Sequence, residues 1–235
     1  MKEQNLKKRI HLHIERIYST SLNETEILEF SDNIYNLIVS KKTLHSSPLL
    51  SDQWSEKTAV LITYANSITN TNNMSPLSSL QKFVSSKCQH FIDTVHILPF
   101  FPSSSDDGFA VKDYYNVDDE FGDWKDIINI SKSFRVMADV VINHGSSEGV
   151  WFKNFIKGEG RGHDYFLSFD NTFDITEVVR PRTSPLLNTF DTHDGTRYLW
   201  CTFSKDQVDY NFNNPKVINE FVEILSLIHI SEPTR

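Results

Sequence analysis

Cysteine is almost absent from this chain: Cys88 and Cys201 are the only two in 235 residues. Two cysteines so far apart fit no metal or redox spacing, and a disulfide framework is not indicated. A reducing compartment is the simpler expectation. Positive charge is also scarce, with 23 Lys and Arg against 31 Asp and Glu and a formal net charge of −8. Phosphate-backbone binding needs a basic face, so no nucleic-acid partner is expected. Apolar residues nowhere run long enough to cross a bilayer. The opening Met1-Lys2-Glu3-Gln4-Asn5 has neither the apolar core nor the cleavage site of a secretory signal. The expected location is the cytoplasm, without a membrane partner, and the oligomeric state is not legible. No glycine-rich phosphate loop or dinucleotide fingerprint occurs.

What is present is an ordinary globular composition, 39% hydrophobic and 23% charged. Residues 1–50 read as a helical extension. Leu6, Ile10, Ile14 and Ile17 recur at helical spacing, as do Ile27, Phe30, Ile34, Leu37 and Ile38. Each helix carries one apolar stripe and needs something to lie against. A polar linker is expected from Lys41 to Lys57.

Three β-branched, barely alternating runs follow at Thr58–Tyr64, Thr94–Phe100 and Arg135–Ile142. This pattern suits strands buried on both faces. Helical segments separate them. One carries Leu77, Leu80, Phe83 and Val84; the other carries Trp124, Ile127 and Ile128, with Asp123 placed as N-cap. Strand and helix alternate as in a parallel α/β sheet. From Gly145 to about Trp200 long periodic segments are missing, and an insert of that length is usually functional. A helix start is then clear, with Asn214 as N-cap and Pro215 at the first helical position.

Ligands of parallel α/β sheets bind beyond the carboxyl ends of the strands. After the second run stand Ser103–Ser105 and Asp106-Asp107-Gly108-Phe109; after the third come Asn143 and His144, with Asp139 inside the run. Carboxylates, amides and an imidazole can take sugar hydroxyls, and aromatic rings can cover the C–H face of a sugar. Each residue also has a plainer reading. Asp106 and Asp107 suit a simple turn, His144 a satisfied loop histidine, Phe100 and Phe101 core positions, and Arg180 and Arg182 a solvated loop. Asp139 in an apolar strand is harder to dismiss, because a buried carboxylate needs a fixed partner. His11 and His13 lie on different helix faces and cannot share a metal.

Asp139-Val-Val-Ile-Asn-His144 resembles the first conserved region of glycoside hydrolase family 13, the α-amylase superfamily. The strings His96–Pro102, Asp106–Phe109, Asp113–Tyr115, Phe121–Trp124, Arg180–Arg182, Arg197–Trp200 and Phe203–Asp209 are similar to its sucrose and glucosylglycerate phosphorylase subfamily. The resemblance covers roughly residues 55–225. It implies an α/β fold, the N-terminal part of a TIM-type (β/α)8 barrel of about three strands, with a long insertion, residues 145–200, after the third strand.

By position, the resemblance implies that Asp106 binds glucose hydroxyls and that His144 binds near the 6-hydroxyl. Phe109 would wall the sugar, Asp139 would order the site, and Arg182 and Gln207 would lie toward the acceptor. No metal is assigned to Asn143 and no cofactor is implied; inorganic phosphate would be the co-substrate and a small glucoside the partner. The implied chemistry is a retaining double displacement. Its nucleophile Asp and acid/base Glu are not expected within these 235 residues, because the family-like pattern fades near Leu225 and residues 226–235 resemble a translated library adapter. The fragment alone is therefore expected to be inactive, and its outer strands to leave edges and an apolar face uncovered. Competing expectations are a hydrolase or transglucosidase of the same superfamily, and a non-catalytic barrel subunit.

Overall fold

The structure, a computed structural model, describes residues 2–40, 55–56, 58–69, 73–180 and 182–231. Most of the expected linker, residues 41–54 and 57, lies outside them. The chain divides into two compact units: residues 1–45 with 211–230, and residues 46–210 with 231–235.

The first unit is helical. Helix α1 spans Lys2–Tyr18, α2 spans Glu24–Ser40, and α6 starts at Pro215 and runs to Ser231. Asn214 accepts the Lys216 amide at 3.1 Å, the cap expected from Asn-Pro. The stripes of α1 and α2 meet, burying Ile14, Tyr18, Ile27, Phe30 and Ile34, with Ile218 and Val222 of α6 packed against them. Each such side chain contributes about 1.5–3 kcal/mol on burial. Tyr18 donates to the Phe212 carbonyl at 2.7 Å, so its hydroxyl is satisfied inside that apolar cluster.

The second unit is built on three parallel strands in the order β1-β2-β3: Val60–Thr63, Thr94–Ile97 and Arg135–Ala138. All three expected strands form, and each is shorter than its apolar run. Pro99 explains the end of β2, because it has no N–H for a ladder. Helix α3 (Pro76–Phe83) is capped by Ser75, and α4 (Trp124–Ser131) by Asp123 in a reciprocal capping box with Asp126. The Asp126 carboxylate also accepts from Ser75 and Ser78, tying the two helix starts together. Leu77, Leu80, Ile127 and Ile130 are buried, and α4 packs against both α3 and β3. The opposite sheet face carries Val60, Ile62 and Met137, all exposed, with Ile62 61% accessible.

The insertion holds more structure than its pattern promised. Helix α5 (Val150–Lys157) ends at Gly158 in the left-handed region. Strands β5 (Ser168–Phe169), β6 (Leu187–Thr192) and β7 (Gly195–Trp200) form an antiparallel sheet in the order β5-β7-β6. His193-Asp194 closes the β6–β7 hairpin, with Gly195 at φ +109°. A short antiparallel pair, β4 (His144–Ser146) with β8 (Gln207–Asp209), joins the two ends of the insertion.

Candidate functional site

The site begins where β2 stops. Phe100 and Phe101 turn inward as core residues, their rings 4.8 Å apart and both against Trp124. Beyond Pro102 the chain doubles back. Ser104 N donates to Ala110 O at 3.0 Å and Lys112 N to Pro102 O at 2.7 Å. At the tip, Asp106 (φ +58°), Asp107 (φ +50°) and Gly108 (φ +100°) are all left-handed. For the two aspartates that conformation is strained. Gly108 has no alternative, because a Cβ there would stand 2.6 Å from the Pro99 carbonyl oxygen.

The β4–β8 ladder brings the second half of the site to this tip. His144 pairs with Asp209, Gly145 with Val208 and Ser146 with Gln207. Gly145 lets the strands close: a Cβ there would lie 2.0 Å from the Tyr210 hydroxyl. Gln207 is 3% exposed and His144 is 4% exposed. Gln207 Nε2 donates to Asp106 Oδ2 at 2.8 Å and lies 3.2 Å from His144 Nε2. Ser204 donates to Gln207 Oε1 at 2.9 Å, which fixes the amide's orientation. Asp106, His144 and Gln207 therefore form one cluster at the carboxyl end of the sheet.

Its protonation follows from its partners. A carbonyl oxygen can only accept, so His144 Nε2, 3.0 Å from Phe109 O, carries the proton. Nδ1 then accepts from Asn143 Nδ2 at 2.5 Å. With both nitrogens engaged in the neutral ring, the Gln207 amide can only touch His144, and its donor goes to Asp106. Burial pushes the His144 pKa below its ordinary value, although the Phe109 carbonyl and the carboxylates of Asp209, Asp106 and Asp206 pull the other way. Burial also raises the Asp209 pKa, against hydrogen bonds from Thr202.

The remaining expected residues fall around this cluster. Phe109 is half-buried and supplies the carbonyl just named. Arg182 is exposed, its guanidinium 5.4 Å from the centre of the Phe203 ring, which itself lies 5.1 Å from the His144 ring. Arg180, by contrast, donates to the Thr202 carbonyl at 2.6 Å and acts as a loop tie. Asp139 lies just past the end of β3 rather than inside it and is partly exposed, and it is paired with His96 Nε2 at 3.0 Å. It lies outside the Gln207 contacts.

Sequence reasoning missed three members. Phe203 faces His144. Tyr114, fully buried, places its hydroxyl 2.8 Å from Val141 O and 3.0 Å from His144 O, holding the chain after β3. Asp206 collects serine hydroxyls from both sides of the site. The only sequence signal for it was two serine runs, 103–105 and 146–147, with nothing to say that they converge. Asp107 lines a cavity of about 330 Å³ with Tyr64, Asn66, Ser103 and Phe121, a hollow that includes neither His144 nor Gln207.

Comparison with known proteins places the chain in a family. Residues 90–230 match the α-amylase catalytic domain, and the chain belongs to that family. Glucosylglycerate phosphorylase of Allomeiothermus silvanus is 44% identical over 172 residues, covering 73% of this chain and 31% of the relative. The Escherichia coli glucosylglycerate phosphorylase is 36% identical over 224 residues, covering 94% and 38%. The crystal structure of sucrose 6F-phosphate phosphorylase from Thermoanaerobacter thermosaccharolyticum superposes with a TM-score of 0.68 at 27% identity, covering 80% of this chain and 40% of that one. The chain thus spans about a third of the length of the curated relatives it matches. The three parallel strands are the N-terminal part of a TIM-type barrel, with the insertion after the third strand. No described helix is long and apolar enough to cross a membrane.

Proposed function

We propose that this chain supplies the glucose-binding part of a glucosyl-transferring phosphorylase of the α-amylase family. It would act in the cytoplasm on a glucosylglycerate- or sucrose-type glucoside, with inorganic phosphate as acceptor and no cofactor. The convergence of Asp106, His144 and Gln207 carries this reading. A carboxylate on the loop after β2 and an amide at the start of β8 can grip adjacent hydroxyls of one hexose. The neutral His144 imidazole brings no charge, and it meets a sugar hydroxyl by giving up its bond to the Phe109 carbonyl or to Asn143. Phe109 and Phe203 offer apolar faces, and exposed Arg182 offers a cation for phosphate or for an acceptor carboxylate. Identity to glucosylglycerate phosphorylases, 44%, exceeds the 32% to the sucrose phosphorylase of Streptococcus mutans, which favours the glycerate-type glucoside.

In this reading residues 55–225 belong to the catalytic domain and residues 1–50 to a helical extension. The chain matches about a third of the relatives' length, and its proposed part in the double displacement is to hold the hexose. The test is a chimera in which residues 1–225 replace the matching segment of the Escherichia coli relative. Phosphate-dependent release of glucose 1-phosphate from glucosylglycerate is the expected result. Release of free glucose at a rate independent of phosphate would replace the phosphorylase by a hydrolase.

A further inference from the structure

Asp206 precedes Gln207, yet its side chain makes no part of the hexose cluster. Its two oxygens are divided between two chain segments. Oδ2 accepts from Ser104 Oγ at 2.6 Å and from Ser105 Oγ, both on the loop that carries Asp106. Oδ1 accepts from Ser147 Oγ at 2.8 Å and Ser147 N at 3.2 Å, just beyond β4, which carries His144. Ser146 Oγ lies 3.1 Å from Oδ1 and 2.5 Å from Ser104 Oγ, with one proton to give to either. The Asp206 carbonyl accepts from the Ser147 amide as well, at 2.8 Å. Burial would raise the carboxyl's pKa, and the serine donors outweigh it and hold the group below its ordinary value. It is an acceptor-only carboxylate at working pH, matched to a ring of donors.

The position matters because the Asp106–Gly108 turn does not hold itself. Two consecutive non-glycine residues are left-handed there, a conformation that persists only where its surroundings enforce it. The loop's own amides supply part of that restraint, Phe109 N to Asp106 O at 3.0 Å and Ala110 N to Ser105 O at 3.2 Å. The rest must come from outside the loop: Gln207 and His144 reach Asp106 and the Phe109 carbonyl at the tip, and Asp206 holds the two serines that lead into it. Asp206 sits in the turn immediately before β8, whose first residue is Gln207, so one short stretch of chain touches both the serine loop and Asp106.

We propose that Asp206 is a positioning residue: its carboxylate clamps the serine loop after β2 to the end of β4 and thereby sets the Asp106–His144 spacing for a hexose. This rests on the glucose-binding reading above. The clamp itself is read separately, through amide exchange in the full chain. In Asp206→Ala, exchange at Phe109 and Ala110 is expected to accelerate at least tenfold while Val95 and Val136 in the sheet keep their rates. The glucose dissociation constant is expected to rise at least tenfold, and the His144 ring resonances to move. Added formate, which restores a carboxylate to the vacated space, should recover both slow exchange and affinity, whereas chloride should not. A general loss of stability would not be repaired in that way. Should the alanine variant not fold, Asp206→Asn keeps the volume and one acceptor, and exchange at the same two amides should rise at least threefold. Unchanged exchange at Phe109 and Ala110 in a folded variant overturns the clamp. Faster exchange with unchanged glucose affinity overturns its positioning role. If the wild-type chain binds no glucose, the functional reading fails while the exchange data still judge the clamp.

Discussion

The three-stranded sheet and the loop cluster beyond its carboxyl end are held by opposite means. The sheet relies on apolar burial: Val95 and Ile97 are wholly buried on the helix-covered face, while Ile62 and Met137 on the other face stand open. The cluster relies on polar contacts between segments about a hundred residues apart, Asp106 with Gln207 and Ser104 with Asp206. Non-directional burial tolerates a missing neighbour at a modest cost. Buried polar groups do not, because each lost partner leaves a desolvated donor or acceptor. The sheet should therefore absorb substitutions that the cluster cannot.

The largest test of that contrast is Gly145→Ala. Its new methyl group meets the Tyr210 hydroxyl, and the β4–β8 pair must part. A loss of about 1–3 kcal/mol in urea denaturation is expected, with loss of hexose binding. Wild-type values would show that the ladder is not closely fitted. Next comes Tyr114→Phe, which removes one buried hydroxyl from the carbonyls of Val141 and His144. A cost of about 1–2 kcal/mol is expected. A neutral result would mean that water already serves those carbonyls.

Smaller, and specific to pH, is the contribution of His144. Its folded pKa is depressed by burial, so between that value and about 6.5 the unfolded chain binds the extra proton. Stability from this group is complete above about pH 6.5 and is lost as pH falls through the folded value. The wild-type urea midpoint should drop between pH 7 and 5.5, and His144→Gln should drop less over the same interval. Equal slopes would remove the histidine from the account. Smallest of all, Ile62→Thr on the open sheet face should stay within about 0.5 kcal/mol of wild type while lowering the binding of an apolar dye. A large destabilisation would show that this face is packed in solution.

Legibility in the sequence follows the same division. The sheet and its helices were readable because β-branched runs and the cap Asp123 are local signals, as Asn214 is for α6. Strand ends were over-extended because apolar character continued to Phe100 and Ile142, although the ladders of β2 and β3 end at Ile97 and Ala138. The insertion was read as patternless for two reasons. Val150–Lys157 gives only two helical turns, too few for a period to emerge. The β6–β7 hairpin, moreover, hides behind polar residues such as Asn188, Asp191 and Thr196, although Asp194-Gly195 was a usable turn signal. Asp106, His144 and Gln207 were singled out through family resemblance, and the structure brings their side chains together. Asp206 and Tyr114 were not singled out, because their roles exist only once distant segments meet.

The most direct measurement is a nuclear magnetic resonance titration of the chain with D-glucose, following the His144 ring and the amides of Phe109 and Gln207. Saturable shifts at all three, abolished by Asp106→Ala, are the predicted result. No saturable shift at these groups, or the same shifts in the Asp106→Ala variant, would contradict a shared hexose site.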